Sequence, residues 1–285
     1  VKEFHRLFGR DNPYDQAQKS VNKLFEGQQS GVQYVTVVLF GLVAVLMTYF
    51  GIRWPETPPP EYLPFLLFAV FSLMLPGIGH RMISGERESE SLELLLVAPV
   101  SAMQVLTAKF RRGFMAMIVT LAITLVPVLG WAIAIAVRPE AAPAWALLFY
   151  TFGSIHLVFY GSAVLALSLL VSAYAKTNAA SLISDLAIML VVLLVAPIIL
   201  QSAVVISDTD IWLAWHPVYQ LTSLNDAVTA RAFGSVNWLA LMGWTLIPSA
   251  INGVLAWVMV RFAARRLEEE RLQGQSISET IHAGS

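Results

Sequence analysis

Five stretches of this chain hold no aspartate, glutamate, lysine or arginine: 27–52, 62–80, 113–137, 141–175 and 232–260. A sixth, 177–207, is broken only by Asp185. The hydrocarbon core of a bilayer takes about 20 apolar residues per helix. Backbone polar groups in lipid must pair within their own segment, so each such run is a helix. The runs predict an all-α membrane protein with six transmembrane helices, their apolar cores at 31–52, 62–82, 113–136, 144–173, 179–206 and 236–260. Charged residues make up 13 % of the chain and hydrophobic ones 57 %, with a mean hydropathy of +0.67. Soluble domains carry about 25 % charged residues, so these runs do not read as the core of one large soluble domain.

The connecting segments orient the spans. Fifteen of the 18 Lys and Arg residues fall in 1–30, 81–112, 174–178 and 261–285. The opposite loops hold only Arg53, Arg138 and Arg231. Cytoplasmic loops carry the basic excess, which predicts that both termini and the 81–112 loop are cytoplasmic. The chain then divides into an N-terminal cytoplasmic segment (1–30), a six-span domain (31–265) and a cytoplasmic tail (266–285). Residues 14–27, "YDQAQKSVNKLFEG", read either as an amphipathic helix lying on membrane lipid or as an ordinary solvated helix. On the outer side, Trp212, Trp215 and Tyr219 lie in a half-polar segment, 207–235, that suits an interfacial or re-entrant piece, because amphipathic aromatics settle at the interface.

Several function classes are excluded or disfavoured. A net charge of −1 argues against a nucleic-acid partner. The absence of cysteine rules out disulfides, Cys-based zinc sites and a cysteine nucleophile. The first 26 residues are polar and lack an apolar core, so no cleavable leader is expected there. No GxxxxGK[ST] loop is present, so this chain is not expected to bind ATP by that route or to be an enzyme. Neither HExxH nor GxSxG occurs, and no metal site is expected. Ionisable residues within spans mark functional sites by default, and two qualify as a possible intramembrane polar site: His156, near the middle of the fourth span, and Asp185, about two turns into the fifth. The plainer expectation is a packed, hydrogen-bonded neutral imidazole for His156 and a hydrogen bond within the bundle for Asp185. "GSAVLALSLLVSA", 161–173, is rich in small residues and predicts close helix packing rather than chemistry.

The stretch "SGERESESLELLLVAPVS", 84–101, is unusually charged. At about 100° per residue, Glu86, Glu90 and Glu93 share one stripe, while Leu92, Leu95 and Leu96 lie on the far side. The pattern predicts an amphipathic helix over 84–99, ended by Pro99. Ser101 and Gln104 then have the spacing of a capping box that opens the next helix. By spacing alone the helix is either a solvated loop helix or a docking surface whose acidic face meets a cationic partner.

The same residues carry a family resemblance. "GERESESLELLLVAPVSAMQVLTAKF" resembles the cytoplasmic loop of ABC transporter permeases of the type-2 export class, whose usual wording is close to ERExGTLELLLATPLS. Glu86, Arg87, Glu88, Ser89, Leu92, Glu93, Leu94, Leu95, Leu96, Pro99 and Ser101 match in register. "LSLLVSAYAKTNAAS" is similar to the family's fourth-to-fifth connection and "HPVYQLTSL" to the segment before the last span. The resemblance covers about 31–265. It implies a permease without its own ATPase, paired with a second permease subunit and with cytoplasmic ABC ATPase subunits that bind ATP and Mg2+. The 84–99 helix would be the coupling helix. Glu86, Glu88, Glu90 and Glu93 would be its polar contacts, Arg87 a brace, and Leu92, Leu95 and Leu96 its packed side. Trp212, Trp215, Pro217 and Tyr219 would belong to an outer gate. One departure stands out: the family's Gly-Thr pair is here Glu90-Ser91. Glycine weakens a helix by about 1 kcal/mol, so Glu90 predicts a more continuous helix. Two other readings compete: a secondary transporter driven by an ion gradient, and a non-transporting membrane assembly factor on the same fold.

Overall fold

The computed structural model describes residues 62–89, 91–92, 100–137, 145–195, 199, 219–223 and 238–283. Nearly all of these are helical, and no strand occurs among them. Six helices follow in order: α1 (Tyr62–Gly79), α2 (Arg81–Glu88), α3 (Ala102–Val137), α4 (Trp145–Tyr174), α5 (Asn178–Leu190) and α6 (Trp238–Ala283). A π-helical turn, Val191–Val195, continues α5. The first predicted span, 31–52, lies outside the described residues.

Among the described helices α4 is central; it packs against each of the other five. Its small residues make that possible. Ser162, Ala166, Ser168, Ser172 and Ala173 are all buried. One close approach lies at the end of α1, where a Cβ added to Gly79 would collide with the Cβ of Ser168. Larger side chains from α1, α3 and α4 fill the space above that crossing, with Phe71, Leu75, Met117 and Leu157 fully buried in one cluster. Within it the Tyr160 hydroxyl pairs with Ser72 at 2.7 Å, and the Phe68 and Tyr160 rings lie 4.7 Å apart. A second cluster joins Ile83 of α2, Leu106 of α3, Leu169 of α4 and Val260 and Leu267 of α6.

Large apolar side chains also face outward: Leu73, Val119, Phe159, Ile183 and Val254 are exposed. Water disfavours apolar surface of this extent, whereas lipid accepts it. Two of the described helical stretches, Tyr150–Tyr174 and Met242–Gln273, are long and apolar enough to cross a membrane.

One element differs from the sequence expectation. The helix expected over 84–99 begins earlier and stops sooner: α2 runs Arg81–Glu88, with a turn at Ser89. Here the side chains compete with the backbone for the helix's own acceptors. Ser89 Oγ donates to the Glu86 carbonyl at 3.2 Å, Ser91 Oγ reaches the same oxygen at 3.3 Å, and the two hydroxyls pair at 2.9 Å. The continuity expected from Glu90 is therefore broken one residue before it. Helical backbone resumes at 91–92, and 93–99 lie outside the described residues. The segment expected as the cytoplasmic tail, 266–285, to which the sequence pattern assigns no secondary structure, is helical to Ala283, in one helix with the last predicted span. Its 46 residues reach about 70 Å at 1.5 Å per residue, more than twice a bilayer core.

Candidate functional site

α2 is joined to α1 through one residue, His80, which keeps helical dihedrals (φ −58°, ψ −28°). Its own N-terminal side chains do not cap it; a serine of another helix does. Ser172 Oγ on α4 accepts from the N–H of Ile83 at 3.0 Å and of Ser84 at 2.9 Å, and donates to the His80 carbonyl at 2.8 Å. The first turn of a helix leaves its N–H groups without intrahelical partners, and the buried Ser172 hydroxyl satisfies two of them.

The three charged residues that end α2 each reach a different neighbour. Glu86 holds Lys109 of α3, with Oε1 to Nζ at 2.6 Å. Glu88 takes α5, accepting the backbone N–H of Asn178 at 2.8 Å and its side-chain amide. That carboxylate sits at the N-terminus of α5, where the helix dipole favours negative charge. Arg87 faces two helices at once. Its Nη2 donates to the Ala173 carbonyl at 3.0 Å and its Nη1 to the Ala175 carbonyl, capping the end of α4. Nη2 also meets both carboxylate oxygens of Glu270 on α6, at 3.0 and 2.9 Å. Leu92, just beyond, is buried in the second hydrophobic cluster.

Lys109 is the most demanding member of this set. Burial pushes its pKa below the usual lysine range; the charge and hydrogen bond of Glu86 pull it back up, and Arg112 adds to the lowering. With side-chain exposures of 9 % for Lys109 and 19 % for Glu86, this carboxylate is turned into the protein. Its expected place is beside Glu90 and Glu93. Those two residues, with Leu95, Leu96 and Pro99, lie outside the described residues. The capping box is present: Gln104 Oε1 accepts from Ser101 N at 2.9 Å, and Ser101 Oγ from Gln104 N at 3.3 Å.

Of the remaining candidates, His156, Asp185 and Tyr219 do not join this cluster. His156 is 1 % exposed, and neither ring nitrogen has a hydrogen-bond partner; the imidazole is packed as expected but not hydrogen-bonded. Asp185, also 1 % exposed, faces the Ser168 hydroxyl of α4, although neither carboxylate oxygen closes a hydrogen bond of ordinary geometry. Ser168 lies 12 residues from His156 along α4, about 18 Å, so the two ionisable residues do not form one site. Tyr219 stands edge-on to Trp244 of α6, ring centres 6.1 Å apart, and Leu221 beside it is buried against the first cluster. Trp212, Trp215 and Pro217 lie outside the described residues. No group of three or more metal-ligating side chains occurs among the described residues.

Sequence reasoning missed Glu270 and Asn178 as partners of the 86–88 triplet and took Ser172 for packing alone. No local pattern marks Glu270, because its partner is 183 residues away. Asn178 had a signal: it follows Thr177, an N-cap that accepts from Ala180 N at 3.2 Å, and an acid docks readily at such an end.

A family model described as ABC-2 family transporter protein matches residues 11–265. Among curated proteins, none matches the chain.

Proposed function

The chain belongs to the ABC-2 transporter family, and from that premise we propose that it is the permease subunit of an ATP-driven exporter, working with a separate cytoplasmic ABC ATPase. The observation that carries this reading is the docking of α2. Within one turn, Glu86, Arg87 and Glu88 engage α3, α4, α5 and α6. A load applied to the loop that follows α2 therefore reaches four helices through charge-assisted bonds, which are stronger and more directional than neutral ones.

In this reading the chain is a multi-pass protein of the bacterial inner membrane, with six spans and both termini cytoplasmic. It pairs with a second permease subunit, identical or different. ATP and Mg2+ bind to the ATPase, and this chain contributes no catalytic residue. Glu90, Glu93, Leu95, Leu96 and Pro99 belong to the surface offered to the ATPase. Trp212, Trp215, Pro217 and Tyr219 belong to the outer end of the path.

The test uses the absence of native cysteine. A single cysteine placed at Glu90 or Glu93 is expected to cross-link to the co-purifying ABC ATPase, and Glu90→Lys is expected to reduce stimulation of its turnover by the permease. The reading fails if no ABC ATPase co-purifies, or if neither Glu90→Lys nor Glu90→Gly changes the stimulation.

A further inference from the structure

The last helix does more than end the chain. Two consecutive residues of its cytoplasmic extension hold the two ends of the loop between α2 and α3. Glu270 receives Arg87 at the exit from α2, with 2.9 and 3.0 Å contacts to its two oxygens. Arg271 donates from Nη1 to the Val100 carbonyl at 3.2 Å, where the chain re-enters α3. Beneath them Ala263 and Leu267 are fully buried, so this part of α6 is packed down rather than trailing in solvent. Glu270 also meets Arg266 at 3.2 Å, and the Arg266 guanidinium lies 5.5 Å from the Tyr174 ring at the end of α4.

We propose that Glu270 and Arg271 are positioning residues that close the base of the α2–α3 loop and carry its displacement directly into the last span. The argument is mechanical. α6 is one helix from Trp238 to Ala283, and a helix transmits axial and lateral displacement along its length. One guanidinium nitrogen of Arg87, Nη2, faces both oxygens of the Glu270 carboxylate, a charge-assisted contact stronger than a neutral hydrogen bond. Glu270 and Arg87 have side-chain exposures of only 19 % and 21 %, so water screens the pair less than a surface pair. Arg87 holds α6 by an ion pair and α4 by hydrogen bonds to the neutral carbonyls of Ala173 and Ala175. A moving loop therefore gives up the weaker carbonyl bonds first and takes α6 with it relative to the end of α4.

The inference rests on the permease reading, and its test separates the two. The full chain, in lipid nanodiscs with the ABC ATPase that co-purifies with it, carries spin labels at two exposed positions, Lys176 after α4 and Leu272 on α6. Their separation is measured by pulsed electron resonance without nucleotide and after trapping with ATP and vanadate. The expected result is a nucleotide-dependent shift in the unmodified clasp, its loss in Glu270→Gln, and its retention in Glu268→Gln, an exposed neighbour. Arg271→Gln is a second variant, in case Glu270→Gln fails to assemble. It leaves the ion pair in place, and the shift is expected to shrink. A shift that survives both substitutions, or none in the unmodified complex, overturns the proposal. Failure to find any ATPase partner overturns the permease reading instead.

Discussion

Burying an ammonium group without a counter-charge costs several kcal/mol, and Lys109 is nine-tenths withdrawn from solvent. Glu86 makes that burial tolerable. Between the lowered pKa of Lys109 and the ordinary lysine value, the unfolded chain binds more protons than the folded one. Stability therefore rises with pH across that window, while below it the full burial cost is felt. Replacing Glu86 by glutamine removes the attraction that raises the pKa, so the window widens downward. Glu86→Gln is expected to destabilise by about 2 kcal/mol near neutral pH, in keeping with the loss of a charged hydrogen bond. The gap to the native chain should narrow as the pH is raised toward 10. Thermal unfolding in detergent at several pH values checks this, and a gap that stays constant would refute the assignment. Lys109→Met with Glu86→Gln should abolish the pH dependence in that window. Lys109 was legible in the sequence only as the basic start of a span. Its pairing with Glu86 was not legible, because a helical wheel shows which residues share a face but not what that face meets.

At the scale of elements, the apolar cores placed at 113–136 and 144–173 correspond to helices Ala102–Val137 and Trp145–Tyr174, and the start of the first was missed. The absence of charge marks where a helix meets lipid, not where its hydrogen bonding stops, so α3 extends back through Arg112, Arg111 and Lys109 to its Ser101 cap. The same reasoning accounts for α6, whose charged extension is as helical as its apolar part. The small-residue pattern on α4 was legible as packing, and its sharpest consequence lies at Gly79. Rotating a side chain cannot relieve a Cβ–Cβ collision, so Gly79→Ala must push α1 away from α4 at Ser168. Overpacking of this kind costs about 1–3 kcal/mol. Gly79→Ala is expected to lower the unfolding temperature, and adding Ser168→Gly should recover part of the loss. No recovery in the double variant would mean that the crossing is not where the strain falls. Ser168 also faces Asp185, so Ser168→Gly alone is the required control.

At the scale of the molecule, the described helices pack around α4, with outward apolar side chains on the helices that surround it and a charged node at one end. That node gathers Glu86, Arg87, Glu88, Lys109 and Glu270, and it belongs to the end that the basic bias of the loops predicts to be cytoplasmic. The bias was legible because it is a sum over the whole chain and does not depend on any one contact. The wiring of the node was not, because its bonds join residues from 23 to 183 positions apart. Orientation can be tested with the chain's own lack of cysteine, since any introduced thiol is then the only one. Cysteines replacing Lys176 or Leu272 are expected to resist a membrane-impermeant maleimide in intact cells and to react once the membrane is opened. Cysteines replacing Arg53, Arg138 or Arg231 are expected to react in intact cells. The reverse pattern would place the α2 node on the outer face, beyond the reach of any cytoplasmic ATPase. A mixed pattern, with Arg53 protected and Arg231 reactive, would instead change the number of crossings between them. The five positions together therefore test the orientation and the span count separately.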